Sequence, residues 1–299
     1  MTAAARAAAN PLTVLWRFSR PHTIVGTALS VAGLYAIAAA DGHATGAPDL
    51  LATLVAALTV NVAIVGVNQI TDVDIDRVNK PFLPIAAGDL TLRDAKAIVI
   101  AATVIPLAMA LTQGAVETIA VAVALAAGAA YSLPPARLKR FPVAASLCIA
   151  GVRSLVVNLG VSYHFAQTIT PPVWALCAFV LPFSFAIAVL KDVPDIEGDR
   201  RFAIRTFTVR LGPERVFHIG LAALGLAYAG MIVAGPFALR HHAQPAVLIA
   251  GHLAAAALLA RWAAQADPHD KPGFTRFYMR VWALFFLEYL LVPIACLAA

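Results

Sequence analysis

Charged side chains are scarce in this chain. Only 13% of its 299 residues are Asp, Glu, Lys or Arg, against about 25% in soluble globular domains. Hydrophobic residues make up 61% of the chain, and the mean hydropathy is +0.81. This composition excludes a soluble globular protein and is typical of an integral membrane protein.

Cysteine is scarce too. Cys148, Cys177 and Cys296 lie far apart in apolar segments and form no CxxC motif, so we expect small buried packing residues. The net charge of +6 comes without an aromatic–basic recognition motif, so we expect no nucleic-acid partner.

Nine apolar segments are each long enough to span a bilayer with some tilt. We place them at residues 24–40, 51–69, 95–112, 115–133, 143–162, 172–190, 216–238, 245–264 and 279–298. The predicted fold class is therefore all-α: a polytopic membrane protein of about nine transmembrane helices around a central cavity that opens near the cytoplasmic side. Residues 1–299 are expected to form a single transmembrane domain, with residues 1–15 as a flexible tail.

Positive charge alternates between the loops. The N-terminal region and the loops after the second, fourth, sixth and eighth segments hold 20 of the 22 Lys and Arg residues, since only Arg240 and Arg153 lie elsewhere. The positive-inside rule places these loops and the N-terminus in the cytoplasm. An odd number of spans then places the C-terminus outside, in a multi-pass protein of the cell membrane.

Two acidic motifs follow the second and the sixth segments. In each motif, spacings of three or four residues place three polar side chains on one face of a helix, although Pro194 and Gly198 disturb the second helix. Carboxylate and amide oxygens suit Mg²⁺, which commonly bridges them to substrate phosphates. We therefore expect two Mg²⁺ ions on one diphosphate, with the aspartates as catalytic residues. The predicted metal ligands are Asn68, Asp72, Asp76, Asp192, Asp195 and Asp199.

Basic side chains lie next to both motifs, and further basic and hydroxyl side chains lie where the fourth segment ends. All of them suit the binding of a leaving diphosphate. The candidates are Arg77, Lys80, Tyr131, Arg137, Lys139 and Lys191. The alternative is that these positive charges only set the topology. We favour that alternative for Arg140 and for the arginines from Arg200 onward.

Arg153 lies in the middle of the fifth segment, where an unpaired cation is costly. We expect it to face the cavity and to bind the carboxylate of an acidic substrate, with Asn158 loosely on the same face. The alternative is a structural ion pair, for example with Glu288. His22 enters the first segment from the cytoplasmic side and is a further substrate-binding candidate, with a structural role as its alternative.

The two Asp-rich motifs together resemble those of the UbiA-type intramembrane prenyltransferases. Further stretches are similar to the homogentisate prenyltransferases of that superfamily, namely residues 18–23, 79–84, 131–135, 191–199, 206–212 and 287–291. The resemblance implies nine transmembrane helices around a central cavity. It also implies Mg²⁺-dependent transfer of a prenyl group from a prenyl diphosphate to a ring carbon of an aromatic acid, with release of diphosphate. Homogentisate-type transfer would also release CO₂.

Two departures from the family pattern leave the aromatic acceptor open between homogentisate and 4-hydroxybenzoate. Ala203 and Ser154 both stand where we expect glycine. The alternative from another functional class is a cation-coupled transporter whose aspartates bind ions at broken helices. Against it, both acidic motifs lie at one membrane face, not at the midplane. A membrane scaffold without chemistry would leave the paired motifs unexplained.

Overall fold

The computed structural model describes residues 10–43 and 45–299, and within these ranges the chain is helical without a β-strand. The helices are α1 (Pro11–Phe18), α2 (Pro21–Ala40), α3 (Ala47–Thr71), α4 (Val73–Asn79), α5 (Pro84–Ala87), α6 (Leu92–Gln113), α7 (Ala115–Ser132), α8 (Pro142–Gly151), α9 (Asn158–Ala166), α10 (Pro171–Leu190), α11 (Ile196–Arg201), α12 (Phe207–Leu211), α13 (Pro213–Val233), α14 (Gly235–Ala238), α15 (Pro245–Ala263) and α16 (Lys271–Leu297). This confirms the predicted all-α class.

Nine helices of the described part are long and apolar enough to cross a membrane, as the hydropathy pattern predicted. They are α2, α3, α6, α7, the α8–α9 unit, α10, α13, α15 and α16. The largest boundary error is at α16, which begins at Lys271 and not near residue 279. Its first two turns carry Lys271, Arg276 and exposed polar positions, so the helix extends beyond the apolar window on which the prediction rested.

The fifth span is not a uniform α-helix. Residues Val152–Val157 form a π-helical turn that joins α8 to α9. Such turns, with i→i+5 hydrogen bonds, are rare and are often found at functional sites. This one contains Arg153, the only charged residue of the span.

The spans α10 and α16 lie at the centre of the bundle. Their membrane-length windows are 67% and 61% buried, against 22–39% for the other spans. Aromatic rings contribute to this centre: Phe179 stacks on Phe183 within α10 at 5.3 Å between ring centroids, and Phe183 meets Phe285 of α16 at 5.9 Å. Such ring pairs stabilise beyond their buried area, so this aromatic core holds the bundle around the cavity.

The N-terminal region differs from the flexible tail that we expected for residues 1–15. Residues Pro11–Phe18 form helix α1, where the Asn10 side chain accepts a hydrogen bond from the backbone N–H of Leu12 and caps the first turn. The buried Phe18 ring anchors the end of the helix. Residues 1–9 lie outside the described residues.

Helices α2 and α16 approach closely at Gly33. A Cβ atom at this position would lie 2.6 Å from the backbone carbonyl oxygen of Tyr289. Small residues allow such close approach between membrane helices, and a backbone atom cannot move aside as a side chain can.

We therefore expect Gly33→Ala to lower the free energy of unfolding by about 1–3 kcal/mol, the usual cost of overpacking. Thermal unfolding of the detergent-solubilised protein measures this. The matched control is Gly225→Ala in α13, where an added Cβ meets nothing within 4 Å and alanine favours the helix. Equal melting temperatures for Gly33→Ala and the unsubstituted protein would contradict the proposed close contact.

Candidate functional site

One large cavity, with a volume of about 630 Å³, opens inside the bundle. It brings together twelve of the fifteen side chains predicted for the site. They are His22, Asn68, Asp72, Asp76, Lys80, Tyr131, Lys139, Arg153, Lys191, Asp192, Asp195 and Asp199. Both acidic motifs thus face one space, as the prediction of a central cavity required.

The first acidic motif spans a helix break and not one continuous helix. Helix α3 ends at Thr71, Asp72 leaves the helical conformation, and α4 begins at Val73. The Asp76 backbone N–H still donates to the Asp72 carbonyl at 2.7 Å. This bond preserves the one-turn spacing, so both carboxylates line the cavity despite the break.

The second acidic motif lies in a turn, as Pro194 and Gly198 led us to expect. Helix α10 ends at Leu190, residues 191–195 form the turn, and α11 begins at Ile196. Asp192, Asp195 and Asp199 line the cavity, whereas Glu197 is exposed. The expected separation of inward from outward carboxylates is therefore present.

Lysines pair with the carboxylates of both motifs. Lys139 Nζ lies 2.5 Å from Asp72 Oδ1, and Lys80 forms an ion pair with Asp195. A 3-10 turn at Leu138–Arg140 holds Lys139 in place, where only 7% of its side chain is exposed. Charges this close in an apolar bundle must be paired to be tolerated.

Lys191 connects the second motif to helix α7. Its ammonium donates to the Tyr131 hydroxyl at 2.6 Å and lies 3.8 Å from Asp192 Oδ1. The predicted proximity of Tyr131 to the acidic motifs is therefore present. The ammonium and the hydroxyl together form a donor pair beside the carboxylates.

Burial disfavours the ionised form of several motif carboxylates despite the nearby cations. Burial raises the pKa of Asp76 to about 6 and that of Asp192 to about 6. Burial also raises the pKa of Asp199 to about 8, with repulsion from Asp192 and Asp195 as further causes. Asp76 Oδ2 is buried and has no hydrogen-bond partner among residues 10–43 and 45–299. The electrostatics of the site thus favour an added cation.

Asn79 joins the two motifs, and sequence reasoning missed it. Its side-chain oxygen accepts the Gly198 backbone N–H at 3.0 Å, and its amide donates to Asp199 Oδ1 at 3.5 Å. A Cβ on Gly198 would lie 2.4 Å from that side-chain oxygen. Only glycine fits there, and Asn79 lies in one of the family-like stretches, which was the signal available.

Arg153 faces aromatic rings in the cavity wall. Its guanidinium carbon lies 4.6 Å from the Trp282 ring centroid and 5.1 Å from that of Phe285, both on α16. The Nη1 atom is buried and has no hydrogen-bond partner in the described part of the chain. His22 meets the same Trp282 ring edge-on at 4.9 Å. Cation–π contact stabilises the guanidinium while leaving Nη1 available to a ligand.

The alternative ion pair between Arg153 and Glu288 is wrong. Glu288 is buried against His252, whose Nε2 lies 3.1 Å from Glu288 Oε2. The other ring nitrogen of His252 contacts the Leu248 carbonyl at 2.6 Å. Glu288 is thus structural, because its partner is His252 and not Arg153.

Three predicted side chains do not line the cavity. Arg77 is exposed and pairs with Asp74 at 2.7 Å, because it lies one position past Asp76 and hence on another helix face. Arg137 is not among the residues that line the cavity, and its Nη2 lies 3.8 Å from Asp72 Oδ1. Asn158 is fully buried and accepts the Tyr289 hydroxyl at 2.7 Å, so it contributes to packing and not to the site.

The first acidic motif also has an unpredicted neighbour. Arg20, in a left-handed backbone conformation between α1 and α2, lines the cavity together with His22. Its place in the family-like stretch 18–23 was the available signal. Sequence reasoning also missed Trp282, and no sequence signal could have indicated it, since aromatic residues are common in apolar spans.

Comparison with known proteins identifies related chains. Residues 28–286 match the model of the UbiA prenyltransferase family. Homogentisate phytyltransferase of Synechocystis sp. is 44% identical, over 95% of this chain and 96% of its own length. The chloroplastic homogentisate solanesyltransferase of Arabidopsis thaliana is 38% identical, over 93% of this chain and 75% of its own length.

The fold is also similar to a solved structure. A UbiA homologue from Archaeoglobus fulgidus, determined with bound DMAPP and Mg²⁺, superposes with a TM-score of 0.67. The alignment covers 94% of this chain and 99% of that chain, at 20% sequence identity. At this identity the likeness establishes the shared fold.

Proposed function

The chain belongs to the UbiA prenyltransferase family, and we propose that it transfers a prenyl group from a prenyl diphosphate to a ring carbon of an aromatic acid in the membrane. One observation carries the proposal. The same cavity holds the carboxylates of both acidic motifs, the three lysines that pair with them and, beyond these, an apolar wall. A molecule with a charged head and a long hydrocarbon chain matches that arrangement.

The charged end of the cavity suits the diphosphate. Lys80, Lys139 and Lys191 each lie beside a motif carboxylate and also line the cavity. Phosphate oxygens can take these ammonium groups as charge-assisted hydrogen-bond partners, with the Tyr131 hydroxyl as a further donor. The chain's own cations thereby hold the leaving group and stabilise the charge that develops on it.

Mg²⁺ fits the donor set of the two motifs. The motif carboxylates and the Asn68 amide line the cavity, and the buried Asp76 Oδ2 has no hydrogen-bond partner among the described residues, whereas Mg²⁺ is usually held by carboxylates together with substrate phosphates. When bound, Mg²⁺ neutralises the diphosphate and aids its departure. We propose two ions, held by Asn68, Asp72 and Asp76 on one side and by the second motif on the other.

The acceptor binds, in our proposal, at the wall formed by α2 and α16. Arg153 offers its free Nη1 to the carboxylate of the acceptor, and Trp282 and His22 present aromatic surfaces to its ring. The two compared transferases share homogentisate in their names and differ in the prenyl chain. We therefore propose homogentisate as the acceptor, since the compared transferases differ in the prenyl donor.

The bond changes follow from these positions. The C–O bond between the allylic carbon and the diphosphate breaks, and the electron pair leaves with the diphosphate. A ring carbon of the electron-rich acceptor attacks the allylic carbon, and that ring carbon then loses its proton to restore aromaticity. For homogentisate, whose carboxylate lies on a CH₂ side chain, the release of CO₂ is a separate step in which the bond between CH₂ and the carboxylate breaks and the side-chain carbon takes up a proton. The apolar wall excludes water that would otherwise trap the allylic cation.

Removal of a carboxylate from either motif tests the donor site. We expect Asp72→Ala and Asp192→Ala to lower Mg²⁺-dependent transfer on the order of 10²-fold or more, the scale seen when charge stabilisation of a transition state is lost. Prenylated product formed by membranes of equal protein content is the measurement. Asp74→Ala is the matched control, since Asp74 belongs to the same motif but is exposed and paired with Arg77. Full activity of both cavity variants would refute the proposed site.

Replacement of Arg153 tests the acceptor site. Hydrogen bonds to charged groups contribute about 1.5–3 kcal/mol, so Arg153→Ala should raise KM for the aromatic acid by about tenfold to a hundredfold while KM for the donor changes little. A phenol without a carboxylate should show a much smaller difference between the variant and the unsubstituted enzyme. An equal loss with both acceptors would show that Arg153 serves the fold instead.

We also propose that the charged end of the cavity faces the cytoplasm in a multi-pass protein of the cell membrane. The support is the uneven distribution of Lys and Arg between alternate loops. Both acidic motifs lie at the membrane face where the positively charged loops lie. A protease-cleavable tag after Ala299 should then be cut from outside intact cells, whereas the same tag before Thr2 should be protected. The reverse pattern would overturn the orientation.

A further inference from the structure

The cavity extends from the acidic motifs along the inner face of α7. Tyr131 at the charged end and Glu117 near the start of the helix both line it. They are 14 residues apart in sequence, so at 1.5 Å per residue the cavity runs about 21 Å along this helix. That distance is most of the roughly 30 Å hydrocarbon thickness of a bilayer.

The wall between these two ends is made of small and aliphatic residues. On α7 the lining residues are Ala120, Val121, Ala124, Ala127 and Gly128. Side chains of α3 and of the π-helical turn complete the wall, including Val60, Ile64, Val152 and Val156. Aromatic rings line the cavity on α2 and α16, through His22, Trp282 and Phe285, and Arg153 of the π-helical turn contacts the last two. The prenyl chain of the donor, which is aliphatic, therefore fits the α7 wall.

This apolar wall ends in polar side chains. Glu117 is 5% exposed and Thr53 is 1% exposed, and both line the cavity. Glu117 Oε2 and Thr53 Oγ1 are buried and have no hydrogen-bond partner within residues 10–43 and 45–299. His164 Nδ1 lies 3.7 Å from that Glu117 oxygen, and His164 Nε2 lies 3.1 Å from Asp49 Oδ1.

We propose that Glu117 and Thr53 set the upper limit to the length of the prenyl chain that this enzyme accepts. The inference rests on the proposed prenyl transfer and adds residues that govern donor specificity. A hydrocarbon end that reaches this position lies against a carboxylate and a hydroxyl, and it excludes the water that could otherwise approach these groups through the cavity, which is unfavourable. A chain that ends short of them lies only against aliphatic side chains.

The His164–Asp49 contact explains why the limit is firm. His164 lies behind Glu117, between it and Asp49, so the carboxylate is held from the side away from the cavity. The close approach of α7 and α9 adds to this, since a Cβ on Gly160 would lie 2.8 Å from the Cβ of Ala120. The two helices that carry Glu117 and His164 are therefore closely packed next to this end of the cavity.

The test compares donors of increasing length, from geranyl through farnesyl and geranylgeranyl to solanesyl diphosphate, with one aromatic acid. For each variant the readout is the ratio of kcat/KM for the longest donor to that for the shortest. Glu117→Ala should raise this ratio at least tenfold. Thr53→Val, which removes the hydroxyl and keeps the volume, should raise it in the same direction and separates polarity from added space.

Ile119→Ala is the matched control, because Ile119 lies on α7 with 62% of its surface exposed outside the cavity. Its ratio should stay within twofold of that of the unsubstituted enzyme. If neither Glu117→Ala nor Thr53→Val moves the ratio by more than twofold, the chain-length inference is wrong. If the unsubstituted enzyme transfers none of the donors, it is the proposed function that fails.

Discussion

The pairing of lysines with aspartates at one end of an apolar cavity is the interaction on which the site depends. Ion pairs are tolerated in such surroundings only when their partners are close, and each of the three lysines lies within 4 Å of a motif carboxylate. The local backbone conformation places these charged groups close together. The break at Asp72, the turn between α10 and α11 and the 3-10 turn before Phe141 all place charged groups where a straight helix could not.

Two motif carboxylates of the cavity lie outside these three lysine pairs. Asp76 and Asp199 are buried with raised pKa values, and Asn79 fixes the distance between the two motifs through Gly198. A diphosphate brings negative charge to the lysines, and a hard cation brings positive charge to the carboxylates. The arrangement therefore suits both together better than either alone.

Beyond the charged end, the cavity has two walls of different chemistry. The wall of α2 and α16 presents His22 and Trp282, and the guanidinium of Arg153, from the π-helical turn, lies over the Trp282 ring. The wall of α7 and α3 presents alanine, valine and glycine, and it ends at Glu117. One charged end with an aromatic wall and an aliphatic wall can hold an aromatic acid and a prenyl chain so that their reactive carbons meet near the diphosphate.

The amino-acid sequence by itself determined the nine spans and the two acidic motifs. Hydropathy and helical spacing are properties of neighbouring residues, so both can be evaluated without knowledge of the fold. The error at Arg77 was avoidable, because its spacing from Asp74 predicts the surface pair that the structure contains. Only the tertiary structure decided that Arg153 meets Trp282, that Asn79 holds Gly198 and that Glu117 lines the cavity. Each of these contacts joins residues far apart in the chain, and helix packing, which no local pattern encodes, brings them together.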